Sequence, residues 1–292
     1  MFVRTQLPPA GTRQVDVEPY FKDEVTAGFE WQMTPKWALD VRGIWWKVDE
    51  PYSATDQFNA AGGVFRLLTN FDDAEREYTG LQIEGNRAFR DGWLIRTNYT
   101  LSEVEGNAIG QEHFNNTIDD FREAQGGVEV CTATSYVGCV QGAQNATITN
   151  RFGLLDNDRK HILNLSGAKT FEVTERQRLT FGTWFSYRTG KPWGLRPTAV
   201  VRAPNGTATI STTRYLEARD ANELDEVYAL NLTGAWEFPI AGRVGGSIRA
   251  EVANVTDQQE QLAVNLATGQ PIPVRQSYQK PREMRFVIGL NF

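Results

Sequence analysis

No stretch of this sequence approaches the roughly 18 consecutive apolar residues that a membrane-crossing helix needs, so a transmembrane helix is excluded. Histidine and cysteine are scarce, with two of each. His113 and His161 are far apart, and no Ser/His/Asp or Cys/His arrangement stands out. Nucleophilic catalysis needs a nucleophile and a base together, so no enzyme activity, catalytic residue or cofactor is expected. Cys131 and Cys139 have seven residues between them, in one polar stretch. Without nearby histidines they make a poor metal site. A local disulfide stapling a long loop is the expectation, and it fits an oxidising compartment or a cell surface. Asp119, Asp120, Asp156 and Asp158 lack the central glycine and terminal glutamate of a calcium loop and are expected as solvated loop acids. Excess positive charge is missing too: the formal net charge is -6, which argues against a nucleic-acid partner. Met1 to Ala10 shows no charged segment followed by an apolar core, so no secretory leader is expected there.

What the chain does have is alternation. Val25, Ala27, Phe29 and Trp31 share one face of an extended segment, and Thr26, Gly28, Glu30 and Gln32 the other. After a Thr34-Pro35 turn, Trp37, Leu39, Val41 and Trp45 oppose Asp40 and Arg42. Similar runs surround Leu81, Trp93, Leu163, Leu179, Tyr228 and Val244. The last run places Met284, Phe286, Ile288, Leu290 and Phe292 on one face. That makes nine strands of about ten residues, longer than the five or six usual in soluble sheets. Turns near Thr34, Asp91, Thr174 and Pro239 are short, whereas Asp49–Ala74, Val104–Asn157, Thr189–Ala221 and Thr256–Lys280 are long. Such asymmetry is the mark of a transmembrane β-barrel with its short turns in the periplasm.

Aromatics fit the same geometry. Trp236 and Tyr228 are eight residues apart, or about 26 Å along a strand. Tilted by about 45°, that is nearly 20 Å, close to the roughly 25 Å apolar band of a barrel wall. A mean hydropathy of -0.44 is compatible with this, because half of each strand faces water. The rival is a soluble β-sandwich or β-helix with one buried face. Strand length, exposed aromatics and loop asymmetry count against it, and no 20- to 50-residue repeat supports a propeller or solenoid. The expected fold is all-β: an open, antiparallel, up-and-down sheet in sequence order, part of a larger barrel. The polar face would line the lumen. Candidate lumen-facing residues are Arg42, Trp46, Arg96, Trp184, Arg249 and Glu251, within a lattice of ion pairs or along a substrate path.

Five segments carry a family resemblance. They are Glu77-Tyr78-Thr79-Gly80-Leu81, Asp158-Arg159-Lys160-His161 with Asn164, and Ser186-Tyr187-Arg188-Thr189-Gly190-Lys191-Pro192-Trp193. The other two are Glu251-Val252-Ala253-Asn254-Val255 and Pro281-Arg282-Glu283-Met284-Arg285-Phe286. In this order they resemble the C-terminal barrel half of TonB-dependent outer-membrane receptors, more narrowly the Oar-like group. The resemblance implies an outer-membrane receptor for energy-coupled uptake of a large or scarce nutrient. A structural or adhesive surface protein and a passive porin-like channel are the alternatives. It also implies that Phe292, Leu290, Ile288 and Phe286 form the signal read by the barrel-assembly machinery. Residues 1–21 are expected as the tail of an extracellular loop, and 22–292 as the C-terminal part of the barrel. Its implied partners are outer-membrane lipid, an N-terminal plug and further strands not in this chain, and the TonB complex through that missing part.

Overall fold

Period-two alternation becomes nine long strands in the computed structural model, which describes residues 12–14, 17–58, 64–70, 74–107, 128–130, 150–202, 209–213, 215–242 and 244–291. They are β1 (Lys22–Thr34), β2 (Trp37–Asp49), β3 (Glu75–Arg90), β4 (Trp93–Gly106) and β5 (His161–Thr174). Then come β6 (Gln177–Arg188), β7 (Val227–Ala241), β8 (Val244–Ala253) and β9 (Glu283–Asn291). Each pairs antiparallel with its neighbour in sequence, so the sheet runs β1 to β9 without a crossover. Among the described residues β1 and β9 are its two free edges.

The register turns the alternation into rows. One row on the apolar face reads Phe29, Val41, Ile83, Tyr99, Leu163, Tyr187 and Tyr228. Another reads Phe171, Leu179, Trp236, Ile248 and Ile288. Among the described residues these side chains have no second layer to pack against. Phe29, Phe181, Phe286 and Ile288 are 59, 52, 73 and 80 % exposed, and few residues of the sheet are buried. A soluble sheet would hide such a face; a barrel wall leaves it to lipid. The Tyr and Trp tips at the long-loop end find polar partners. Tyr99 Oη meets His161 Nδ1 at 2.9 Å, Tyr187 donates to Glu226 at 2.7 Å, and Trp45 Nε1 donates to Glu77 at 2.6 Å. An apolar ring with a satisfied polar tip is what a membrane interface selects.

Short connections lie at the opposite end, at Pro35–Lys36, Asp91–Gly92 and Glu175–Arg176. Asp91 and Gly92 have φ of 54° and 75°, the pair of positive values a two-residue type I′ hairpin requires. A Cβ on Gly92 would stand 2.4 Å from the Thr170 carbonyl oxygen. Gly92→Ala is therefore expected to cost more than about 1 kcal/mol in a denaturant titration; no loss would mean the turn is free to change type. The fourth short turn lies just beyond Pro239. Pro239 stands inside β7, at a register shift between Pro239 and Ala241, and the chain reverses at Gly242 with φ 56°. Proline has no N–H for the ladder, so the irregularity accommodates it and glycine takes the turn.

The long connections are not bare coil. Tyr52–Phe58 pairs with Val64–Asn70, which also takes Thr12–Gln14 in parallel. Thr198–Arg202 pairs with Thr209–Thr213 and Val128–Val130, and Pro192–Trp193 with Asn222–Glu223. Backbone groups that leave the sheet still need hydrogen bonds, and these short ladders supply them.

Candidate functional site

The register puts Arg42, Trp46, Arg96, Trp184, Arg249 and Glu251 on one face, opposite the apolar rows. Arg42 stands beside Gln82, Trp46 beside Tyr78, and Arg249 and Glu251 beside Ala235 and Thr233. Arg96 and Trp184 flank Ser166 in a single row. Among the described residues the ion pairs of this face close locally. Arg42 reaches Asp40 at 3.5 Å, Arg178 reaches Glu237 at 2.7 Å, and Glu251 sits 3.7 Å from Arg249 and 4.0 Å from Arg285. Partners two residues apart on one strand, or directly across, are the nearest on a flat face, which is why pairs close locally. Arg96 makes no ion pair among the described residues.

Towards the loops this face folds into a cleft of about 480 Å³. Trp46, Arg76, Tyr78, Gln82 and Ser102 line its sheet side, and Asp158 and Arg159 its loop side. Trp46 and Tyr78 stack with centroids 5.5 Å apart, and Lys22 and Arg76 lie 4.8 and 5.2 Å from the Trp46 ring. Gly80 makes room: a Cβ there would meet Tyr78 Oη at 2.4 Å. The cleft thus combines cations and aromatic rings with one buried carboxyl.

That carboxyl corrects an expectation. Asp158 is only 4 % exposed and accepts the Val104 N–H at 2.8 Å, so it is no solvated loop acid. Burial holds its carboxyl above the ordinary value, and the Val104 N–H opposes that. A raised folded-state value means that the charged form weakens the fold at neutral pH. The penalty is relieved as pH falls through the raised value. Asp158→Asn keeps an acceptor for Val104 and removes the charge. It should unfold at equal or higher denaturant than the parent at pH 8, with the difference shrinking at acid pH; a clear loss at pH 8 would overturn this.

Asp156 is tied down as well. It pairs with Arg196 and lies 3.7 Å from Arg219, whose side chain is fully buried. Arg196 donates to Tyr215 Oη at 3.1 Å, and Arg219 donates to the Arg151 carbonyl at 3.0 Å. Arg151 is itself buried. Three loop segments are knotted by these charges, and no periodicity in the sequence announces them. Asp119, Asp120, Cys131, Cys139, His113 and Phe292 lie outside the described residues.

The motifs cluster at strand–loop junctions. Besides Asp158, the His161 N–H donates to Thr189 Oγ1 at 3.1 Å, and Arg159 donates to the Thr189 carbonyl. Gly190 passes so close to the Leu224 carbonyl that a Cβ would overlap it. Asn254, with φ 48°, donates through Nδ2 to the Gln258 and Lys280 carbonyls at 2.7 and 2.8 Å, which binds the β8–β9 connection to its own base. The Arg282 N–H donates to Asp257 at 2.7 Å. Such polar anchors fix how each long connection leaves the wall.

No protein-family model matches the chain. The TonB-dependent transporter Oar of Myxococcus xanthus is 25 % identical over 190 residues, 61 % of this chain. That stretch is 16 % of Oar. Among solved structures, the outer membrane transporter YddB of Escherichia coli matches with a TM-score of 0.54 and 12 % identity, over 96 % of this chain and 34 % of that one. The siderophore receptor PiuA of Acinetobacter baumannii gives 0.50 and 12 %, over 94 % and 29 %. The chain thus spans about a third or less of the relatives it matches. It has the fold of a segment of the β-barrel wall of TonB-dependent outer-membrane receptors, and it resembles Oar in sequence.

Proposed function

We propose that this chain supplies the C-terminal wall and outer loops of a receptor that takes up a scarce or bulky nutrient across the outer membrane by energy coupling. One observation carries the reading. A nine-strand wall turns an apolar face to lipid, and its polar face forms a cationic, aromatic cleft beneath anchored loops. The similarity to Oar supports transport over a purely adhesive role. In this reading the polar face lines the lumen, and Arg96 and Trp184 lie on the ligand's path. Further strands close the barrel at the edges of β1 and β9, and a plug gates it. The inner-membrane TonB complex acts through those parts, residues 1–21 belong to an outer loop, and the last strand carries the assembly signal. The barrel does no covalent chemistry of its own.

Uptake in cells tests this. A strain lacking the gene is compared with its complemented parent for accumulation of labelled ferric chelates, oligosaccharides and peptides, with and without a protonophore. Loss of protonophore-sensitive uptake of one class, restored by the gene, is the expected result. Unchanged uptake of all three, together with a defect in cell contact, would transfer the chain to the adhesive class.

A further inference from the structure

The lipid-facing side of the wall is not uniformly convex. Between β4 and β8 it carries an apolar groove of about 610 Å³, within the roughly 300–1,000 Å³ of small-molecule sites. Gly167, Thr183, Gly234 and Ala250 form its floor, and Trp93 and Phe181 rise beside it. The rows explain the hollow. One runs Trp93, Lys169, Phe181, Gly234, Ala250 and Phe286, with bulk at both ends and almost none between Phe181 and Phe286.

Lys169 is the one charged residue lining the groove among the described residues. It sits in an outward-facing row, where a cation facing hydrocarbon is costly. Its Nζ lies 4.7 Å from the Trp93 ring and 5.3 Å from that of Phe171, and donates at 3.0 Å to the Asp91 carbonyl in the short turn. The side chain therefore snorkels to the short-turn edge of the membrane, keeping its charge at headgroup level. An ammonium has three N–H donors, and one of them is committed to that carbonyl.

We propose that the groove seats one phospholipid of the leaflet on the short-turn side, an acyl chain along Gly167, Thr183 and Gly234 and the phosphate on Lys169. Charge complementarity selects this occupant over a second copy of the chain. A partner wall of the same sequence would bring another Lys169 and no carboxylate to meet it, since no acidic side chain lines the groove. The proposal rests on the barrel-wall fold and is independent of transport.

Bromolipid quenching tests it. The protein, extracted intact from the membrane, is reconstituted in vesicles containing phosphatidylglycerol or phosphatidylcholine brominated on the acyl chain. Trp93 fluorescence is isolated by subtracting the Trp93→Phe variant. The parent should prefer the anionic lipid about fivefold, the worth of one basic residue at a membrane surface. Lys169→Met should bring that ratio to about one. Gly234→Leu should lower quenching by both lipids, because a Cβ there meets nothing within 4 Å and the side chain extends into the groove. Equal quenching of the parent by the two lipids would overturn the proposal. So would a preference that survives both substitutions, or cross-linked dimers of the parent that Gly234→Leu abolishes.

Discussion

Leu232→Arg destabilises the folded wall by about 2–4 kcal/mol, whereas Thr233→Arg, one residue further on, changes its stability by about 1 kcal/mol or less. Leu232 lies midway between Tyr228 and Trp236 on β7, hence at the middle of the apolar band. Its row runs through Ile95, Gly167, Thr183 and Val252, with no counter-charge. A guanidinium there must face hydrocarbon at the depth where that is most costly. Thr233 points the other way and stands opposite Glu251, so an arginine at that position gains a carboxylate across the strand pair. Urea titration in lipid vesicles, followed by tryptophan emission, measures both. Equal losses would show that the two faces meet the same solvent, and the lipid-facing assignment would fall with that result.

The same contrast explains what could be read in advance. A period of two needs no tertiary information, so all nine strands, their order and the identity of the two faces follow from positions such as Phe181 against Trp184. The short turn near Pro239 was legible, but that Pro239 itself sits at a ladder defect and Gly242 takes the turn is shown only by the register. The cleft was half legible. Trp46 and Tyr78 fall on the polar face by parity, but their stacking depends on the β2–β3 register. Asp156 and Asp158 were misread outright. Burial of a loop acid depends on segments far away in the chain: Asp158 meets β4, and Asp156 meets residues near 196 and 219. Nothing local in a loop sequence encodes such meetings. The groove was invisible for a related reason, since Gly167 and Gly234 become neighbours only through two strand pairings.

Removing the Asp156 carboxylate, as in Asp156→Ala, should cost about 3 kcal/mol, the lower end of what breaking a buried pair costs. The lower end applies because Asp156 is itself one-third exposed, while Arg196 is nearly and Arg219 fully buried. Both guanidiniums keep neutral partners. Arg196 retains Tyr215, and Arg219 retains the Arg151 carbonyl. Both buried cations nevertheless lose the carboxylate they share. An exposed pair behaves differently. Lys36 and Asp91 are 41 and 64 % exposed, and Lys36→Ala, which breaks the pair without touching the positive φ of Asp91, should shift the unfolding midpoint little and less still in high salt. The loss at Asp156 should also be local, because its partners belong to loops whose bases the sheet holds independently. Hydrogen exchange reads that directly: faster exchange near residues 150–160 and 189–197, with β5 and β6 unchanged. Loosening of the whole sheet would instead make the charged knot a keystone of the wall. No change at all would mean that the loops are held by their backbone anchors alone, such as the Asp158 cap on Val104 and the Arg219 N–H on the Asn150 carbonyl.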